Sequence, residues 1–114
     1  MNNKSADFQF EQEIAWENPS AGVERQIMGY NNDLMLVKVK FKKGAVGSIH
    51  SHPHTQATYV VSGAFDFTVN GETKTVNAGD GVYMAPNSQH GCVCLEEGLL
   101  IDTFSPVRND FLTK

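Results

Sequence analysis

A chain of 114 residues has room for one domain around one core, and not for two. With 40% hydrophobic and 10% aromatic residues it belongs with folded globular chains, and a formal charge of −4 without a basic stripe argues against a nucleic-acid partner. No apolar run approaches the length of a membrane span, and the N-terminal MNNKSADFQFEQE lacks the apolar centre of a signal peptide, so a cytoplasmic protein is expected.

Residues 1–15 are polar and weakly periodic, and are expected to form a loose arm or an edge strand ahead of a domain spanning 16–114. ERQIMGY leads into the turn cluster Asn31-Asn32-Asp33. In LMLVKVKF, Met35, Val37, Val39 and Phe41 alternate with Leu34, Leu36, Lys38 and Lys40, the period of a half-buried strand. Lys42-Lys43-Gly44 ends it. ATYVVSG is β-branched and aromatic, and Ser62-Gly63 is expected to stop it. AFDFTV then alternates Phe65, Phe67 and Val69 with Asp66 and Thr68. Asn70-Gly71 suits a two-residue hairpin turn, with ETKTV as the return strand. AGDGVYMAP, HGCVCLEE and LLIDTFSP add further short strands, and no amphipathic helix is expected anywhere. Short strands with a turn every eight to twelve residues make an all-β sandwich or barrel. Cys92 and Cys94, two apart on one strand, point the same way and are poorly placed for a disulfide; they read as small reduced interior residues.

The chemistry concentrates in HSHPHTQ, residues 50–56, which holds three of the four histidines and no carboxylate. If this stretch is extended but bent at Pro53, His50 and His52 share a face by the two-residue period, and Gln56 has the same parity. His90, in APNSQHG, is the remaining imidazole that could join them. Three imidazole nitrogens and one amide oxygen would leave open positions on a divalent transition ion, with nickel, zinc, manganese and iron all compatible. An isolated histidine is usually a surface or satisfied core residue, and His54, of the opposite parity, fits that description. Three clustered histidines with a distant fourth do not.

The same residues resemble the two motifs of the cupin superfamily. Gly44, His50, His52, Gln56 and Gly63 fit the first, with Gln56 where an acid is usual. GDGVYMAPNSQH, residues 79–90, fits the second, with Gly79 and His90 in place. Ala85 and Asn87 stand at the usual proline and glycine, and asparagine tolerates the left-handed backbone such a turn needs. The resemblance implies a single-domain jelly-roll β-barrel. From about Val23 to Leu112, including HGCVCLEEGLLIDTFSPVRNDFL, the chain is similar to the KdgF family of pectin-degradation cupins. That family linearises cyclic 4,5-unsaturated monouronates from pectin or alginate to 5-keto-4-deoxyuronate. The resemblance implies His50, His52, Gln56 and His90 as ligands of one divalent metal ion, with Asp102, Phe104 and Arg108 as further site residues.

The residues themselves allow that chemistry. On LLIDTFSP, Leu100, Asp102 and Phe104 share one face, opposite Leu99, Ile101 and Thr103. With both faces largely apolar, the strand is expected to be buried on each side, and desolvation would raise the pKa of Asp102. Asp102 is then a candidate acid and base, against the alternative of a satisfied structural aspartate. Arg108 reads either as a surface ion pair or as a bidentate clamp on a uronate carboxylate, and the resemblance favours the clamp. Linearisation needs a proton at C4, water or hydroxyl chemistry at C5 and collapse of a hemiketal, with no electron transferred. Asp102 is assigned the proton, and Phe104 and Arg108 the positioning of substrate. Rival expectations are a cupin dioxygenase, which would lack its usual carboxylate ligand, and a non-catalytic sugar-binding cupin. A sugar-phosphate isomerase would want more basic groups than Arg25 and Arg108. A homodimer through the N-terminal strand is expected, because an open barrel has edges to cover.

Overall fold

The alternating runs become strands that share one core. The computed structural model describes residues 3–113, in which eight antiparallel strands carry nearly all the regular structure. They are β1 (Glu17–Ser20), β2 (Val23–Tyr30), β3 (Met35–Phe41), β4 (Val46–His50), β5 (Thr55–Val69), β6 (Glu72–Asn77), β7 (Gly81–Met84) and β8 (His90–Ser105). A single 3-10 turn at Glu11–Glu13 and a short helix α1 (Asn109–Leu112) lie outside the sheet. The alternation in β3 holds: Met35, Val37, Val39 and Phe41 are buried. So does the hairpin at Asn70-Gly71, where both residues have positive φ and Val69 pairs with Glu72.

Strands β5 and β8 organise everything else. Each was expected as two short strands, and each is one long one. The sheet path runs β1-β2-β3-β8-β5-β6, with β4 added to β8 and β7 to β5, and it does not close on itself. Thr55–Ser62 of β5 pairs with the second half of β8, and Ala64–Val69 pairs with its first half. The register shifts between Val60 and Phe65, where the pair bends. One layer is therefore β1-β2-β3-β8-β5-β7 and the other β4-β8-β5-β6, joined through the same two strands. Side chains from both layers meet in one core, as where Phe41 of β3 packs edge-on against Phe65 of β5 with centroids 5.3 Å apart.

The bend explains why Gly63 does not stop the strand. Its φ is +84°, and a Cβ there would sit 2.6 Å from the Glu96 carbonyl oxygen. Gly98 faces it, and a Cβ on Gly98 would collide with the Ser62 carbonyl. Two backbones touch at these glycines, so the paired strands can kink together as a bulge.

Residues 3–15 do not form an edge strand. Gln26, whose side chain is fully buried, donates its amide to the carbonyls of Glu11 (2.8 Å) and Ile14 (2.9 Å), pinning the segment onto β2. Lys38 pairs with Glu11 on the same side. The exposed edge is β1 instead. The outer face of β8 is also less covered than expected, with Leu99, Ile101 and Thr103 half-buried.

Gly98→Ala should destabilise the fold by about 3 kcal/mol, because the clash is with backbone and not with a flexible side chain. Gly44→Ala, at φ +85° with nothing within 4 Å, should cost only the backbone strain, about 1 kcal/mol. Urea denaturation of the two variants measures the difference; equal losses would contradict the bend's role.

Candidate active site

The histidines gather where β4 ends and β8 begins. His50 closes β4 and is the register partner of His90 at the start of β8. Residues 51–54 then bend back into β5, bringing His52 inward. Ring centroids lie 4.6 Å apart for His50 and His90, 4.9 Å for His52 and His90, and 5.5 Å for His50 and His52. Asn87, at φ 65°, donates its backbone N–H to the His52 carbonyl (2.8 Å) and ties the two loops together.

The hydrogen bonds set which nitrogen of each ring is available. His50 donates Nδ1–H to the Ser48 carbonyl (2.8 Å), and His90 donates Nδ1–H to the Ser88 carbonyl (3.0 Å). Both rings are thereby left with a bare Nε2. The Nε2 of His90 is buried and has no hydrogen-bond partner, which is a costly state for an acceptor unless something binds it. One ligand atom from each of His50, His52 and His90 lies within 4.8 Å of the others. Gln56 Oε1 adjoins them, accepting a hydrogen bond from His52 Nε2 at 3.0 Å. Three neutral imidazoles and an amide oxygen around an orphaned acceptor fit a divalent transition ion. Burial, assisted by the Arg108 charge, pushes the pKa of His52 down to about 4, and burial lowers that of His90 as well. Both rings are therefore neutral, as ligands must be, at ordinary pH.

Asp102 lines the same cavity as His50 and His90. It is the register partner of Thr58, as Phe104 is of Gln56. Gln56 Nε2 donates to Thr58 Oγ1 (3.1 Å), and Thr58 donates to Asp102 Oδ1 (2.6 Å). Burial raises the pKa of Asp102, against the hydrogen bonds of Thr58 and Gln56 and the charge of Arg108. A cavity of about 230 Å³ brings His50, Gln56, His90, Asp102, Phe104 and Arg108 to one surface. A larger concavity of about 540 Å³ lies among Lys40, Lys42, Glu24 and Glu97, and none of these groups lines it.

Arg108 differs from the expected open clamp. Its fork already holds Asp110, Nε to Oδ1 at 3.0 Å and Nη2 to Oδ2 at 2.8 Å, which leaves Nη1 for a ligand. The guanidinium lies over the rings of Phe104 (5.1 Å) and Phe111 (4.2 Å). Three contributors, Arg25, Phe111 and Thr58, were not foreseen. Arg25, bonded to Glu17, stands 3.9 Å from the centre of the Phe111 ring and lines the cavity with it. Thr58 links Gln56 to Asp102. Phe104 forms a wall of the cavity, edge-on to His52 at 5.8 Å. His54 serves the structure instead. Its Nε2–H reaches the Val107 carbonyl (3.1 Å) and holds the C-terminal segment to the histidine loop. Cys92 and Cys94 are free and buried, and burial pushes the Cys92 thiol up to about 12, so neither offers a ready thiolate.

Comparison with known proteins decides the family. Residues 37–101 match the Cupin domain. The pectin degradation protein KdgF of Dickeya dadantii (strain 3937) is 46% identical over 102 residues, covering 88% of this chain and 93% of its own. The chain is a cupin of the KdgF family. Among solved structures, an RmlC-like cupin from Shewanella frigidimarina superposes with a TM-score of 0.93 at 45% identity, over 96% of this chain and 98% of that one. KdgF from Halomonas sp. superposes with a TM-score of 0.89 at 40% identity, over 94% and 99%. Oxalate decarboxylase of Bacillus subtilis, at 19% identity and a TM-score of 0.74 for one mutant, shares the fold.

The pKa of His52 makes the metal-free cupin sensitive to acid. Its imidazole titrates at about 4 when folded and near 6.5 when unfolded, so the unfolded chain binds more protons between these values. The contribution of His52 to stability is complete above pH 6.5 and is lost as the pH falls toward 4. Urea midpoints of chelator-treated protein should fall across that window, and His52→Asn should flatten the decline. An unchanged slope in the variant would contradict the assignment.

Proposed function

We propose that this cupin linearises cyclic 4,5-unsaturated monouronates released from pectin, giving 5-keto-4-deoxyuronates. The observation that carries the reading is the convergence, in one cavity, of His50 and His90 of the three-histidine cluster, the Gln56 amide, a carboxyl whose pKa burial raises, and an arginine. Its similarity to pectin degradation proteins along most of the chain supports the substrate class. A divalent ion held by His50, His52, His90 and Gln56 would supply Lewis-acid stabilisation of negative charge developing on substrate oxygen.

The protein's own groups account for the rest. Nη1 of Arg108 meets the C6 carboxylate, with its guanidinium stiffened by Asp110 and by the rings of Phe104 and Phe111. Phe104 excludes water from one side of the ring-binding space. Asp102, kept protonated to higher pH by burial, gives its proton to C4 of the enol ether. Water then adds at C5 and returns a proton to Asp102. The hemiketal collapses to the ketone as its hydroxyl proton passes to the ring oxygen, and the C1 hydrate formed by ring opening loses a water to give the aldehyde. Substrate and product are isomers, and no electron is transferred.

Loss of the conjugated double bond is visible by absorbance, so 4,5-unsaturated galacturonate is a direct assay. Purified protein carrying a divalent ion should accelerate that loss, and chelation should stop it. Asp102→Asn should reduce kcat by roughly 10³-fold while metal content stays at the wild-type level. Arg108→Lys should act mainly on KM. Wild-type turnover in Asp102→Asn would remove Asp102 from the mechanism, and binding of the sugar without turnover by wild-type protein would favour a sugar-binding cupin.

A further inference from the structure

Thr58 sits at the middle of a hydrogen-bond chain whose direction can be read. The chain runs from His52 to Gln56, from Gln56 to Thr58 and from Thr58 to Asp102, at 3.0, 3.1 and 2.6 Å. An amide has one accepting end and one donating end. The Gln56 oxygen faces the histidines, the side on which a cation would be held, so its nitrogen faces Thr58 and donates. A hydroxyl has a single proton, and with Gln56 donating to its oxygen that proton is free to go to Asp102 Oδ1. Thr58 and Gln56 are both buried, at 3% and 6% exposure, so bulk water does not compete for these bonds.

We propose that Thr58 is a positioning residue: its hydroxyl, oriented by the Gln56 amide, holds the Asp102 carboxyl in place to serve the reacting ring. The inference rests on the reading of Asp102 as proton carrier. It also supplies a reason for the amide at position 56. A glutamate there would turn an oxygen toward Thr58 and compete with Asp102 for the one hydroxyl proton. It would also put a negative charge beside the Asp102 carboxyl.

Two variants separate positioning from packing. Thr58→Val keeps the β-branched shape that suits the strand and removes the hydroxyl; Thr58→Ser keeps the hydroxyl and removes a methyl. With nickel-loaded protein and 4,5-unsaturated galacturonate, Thr58→Val should lose about 10²-fold in kcat with KM and nickel affinity within about twofold of wild type, and Thr58→Ser should return kcat to within about threefold. In crystal structures of the metal-free variants, the Asp102 carboxyl should turn away in Thr58→Val and stay in Thr58→Ser. Wild-type kcat in Thr58→Val, or the same loss in both variants, overturns the proposal. If wild-type protein shows no turnover, the functional reading falls separately. The crystal structures then decide alone, and an unmoved Asp102 in Thr58→Val overturns the positioning role.

Discussion

The close approach of β5 and β8 at Gly63 and Gly98 is the constraint on which the molecule depends. Because two backbones touch there, a pair of long strands can bend once and serve two layers. The first half of β5 carries Gln56 and Thr58, the first residue of β8 is His90, and its second half carries Asp102 and Phe104. That pairing therefore fixes His90, the amide and the acid relative to one another, and the pairing of β4 with β8 adds His50. The site residues on these strands stand on paired backbone, which holds them better than loops would.

The electrostatics follow from enclosing these groups between the layers. Burial pushes His52 and His90 toward the neutral form and Asp102 toward its protonated form, so the cavity wall is prepared without bringing net charge into it. The charges are kept at the rim. Arg25 and Arg108 are each bonded to a carboxylate, Glu17 and Asp110, and share the ring of Phe111. An anionic ligand would meet guanidinium first and the neutral interior behind it, an order that suits a uronate bearing its charge at one end.

Much of this was legible in the sequence, for physical reasons that differ by residue. The parity of His50, His52 and Gln56 pointed to a common focus, although residues 51–54 bend and do not run as a strand, and the two-residue repeat of a strand put Asp102 on the face of Leu100 and Phe104. The bend at Gly63 was misread because a glycine after a β-branched run gives one signal for a turn and for a bulge. Thr58 escaped notice although it shares the parity of Gln56: a threonine on a strand is ordinary until the residue across from it is known. Arg25 and Phe111 lie 86 positions apart by their own numbering, and nothing local announces their contact. The docking of residues 3–15 through Gln26 was hidden for the same reason. A buried glutamine whose partners are backbone carbonyls leaves no periodic trace.

Delivery of a proton to C4 from one fixed acid in the cavity is the central claim, and its stereochemistry is the most direct test. The measurement is proton NMR of the product formed from 4,5-unsaturated galacturonate in heavy water with the metal-loaded protein, read before the methylene exchanges with solvent. A carboxyl held on one side of the ring should place a single deuterium at C4 in one configuration. Equal deuterium in both configurations, at the rate of the reaction without protein, would contradict the account.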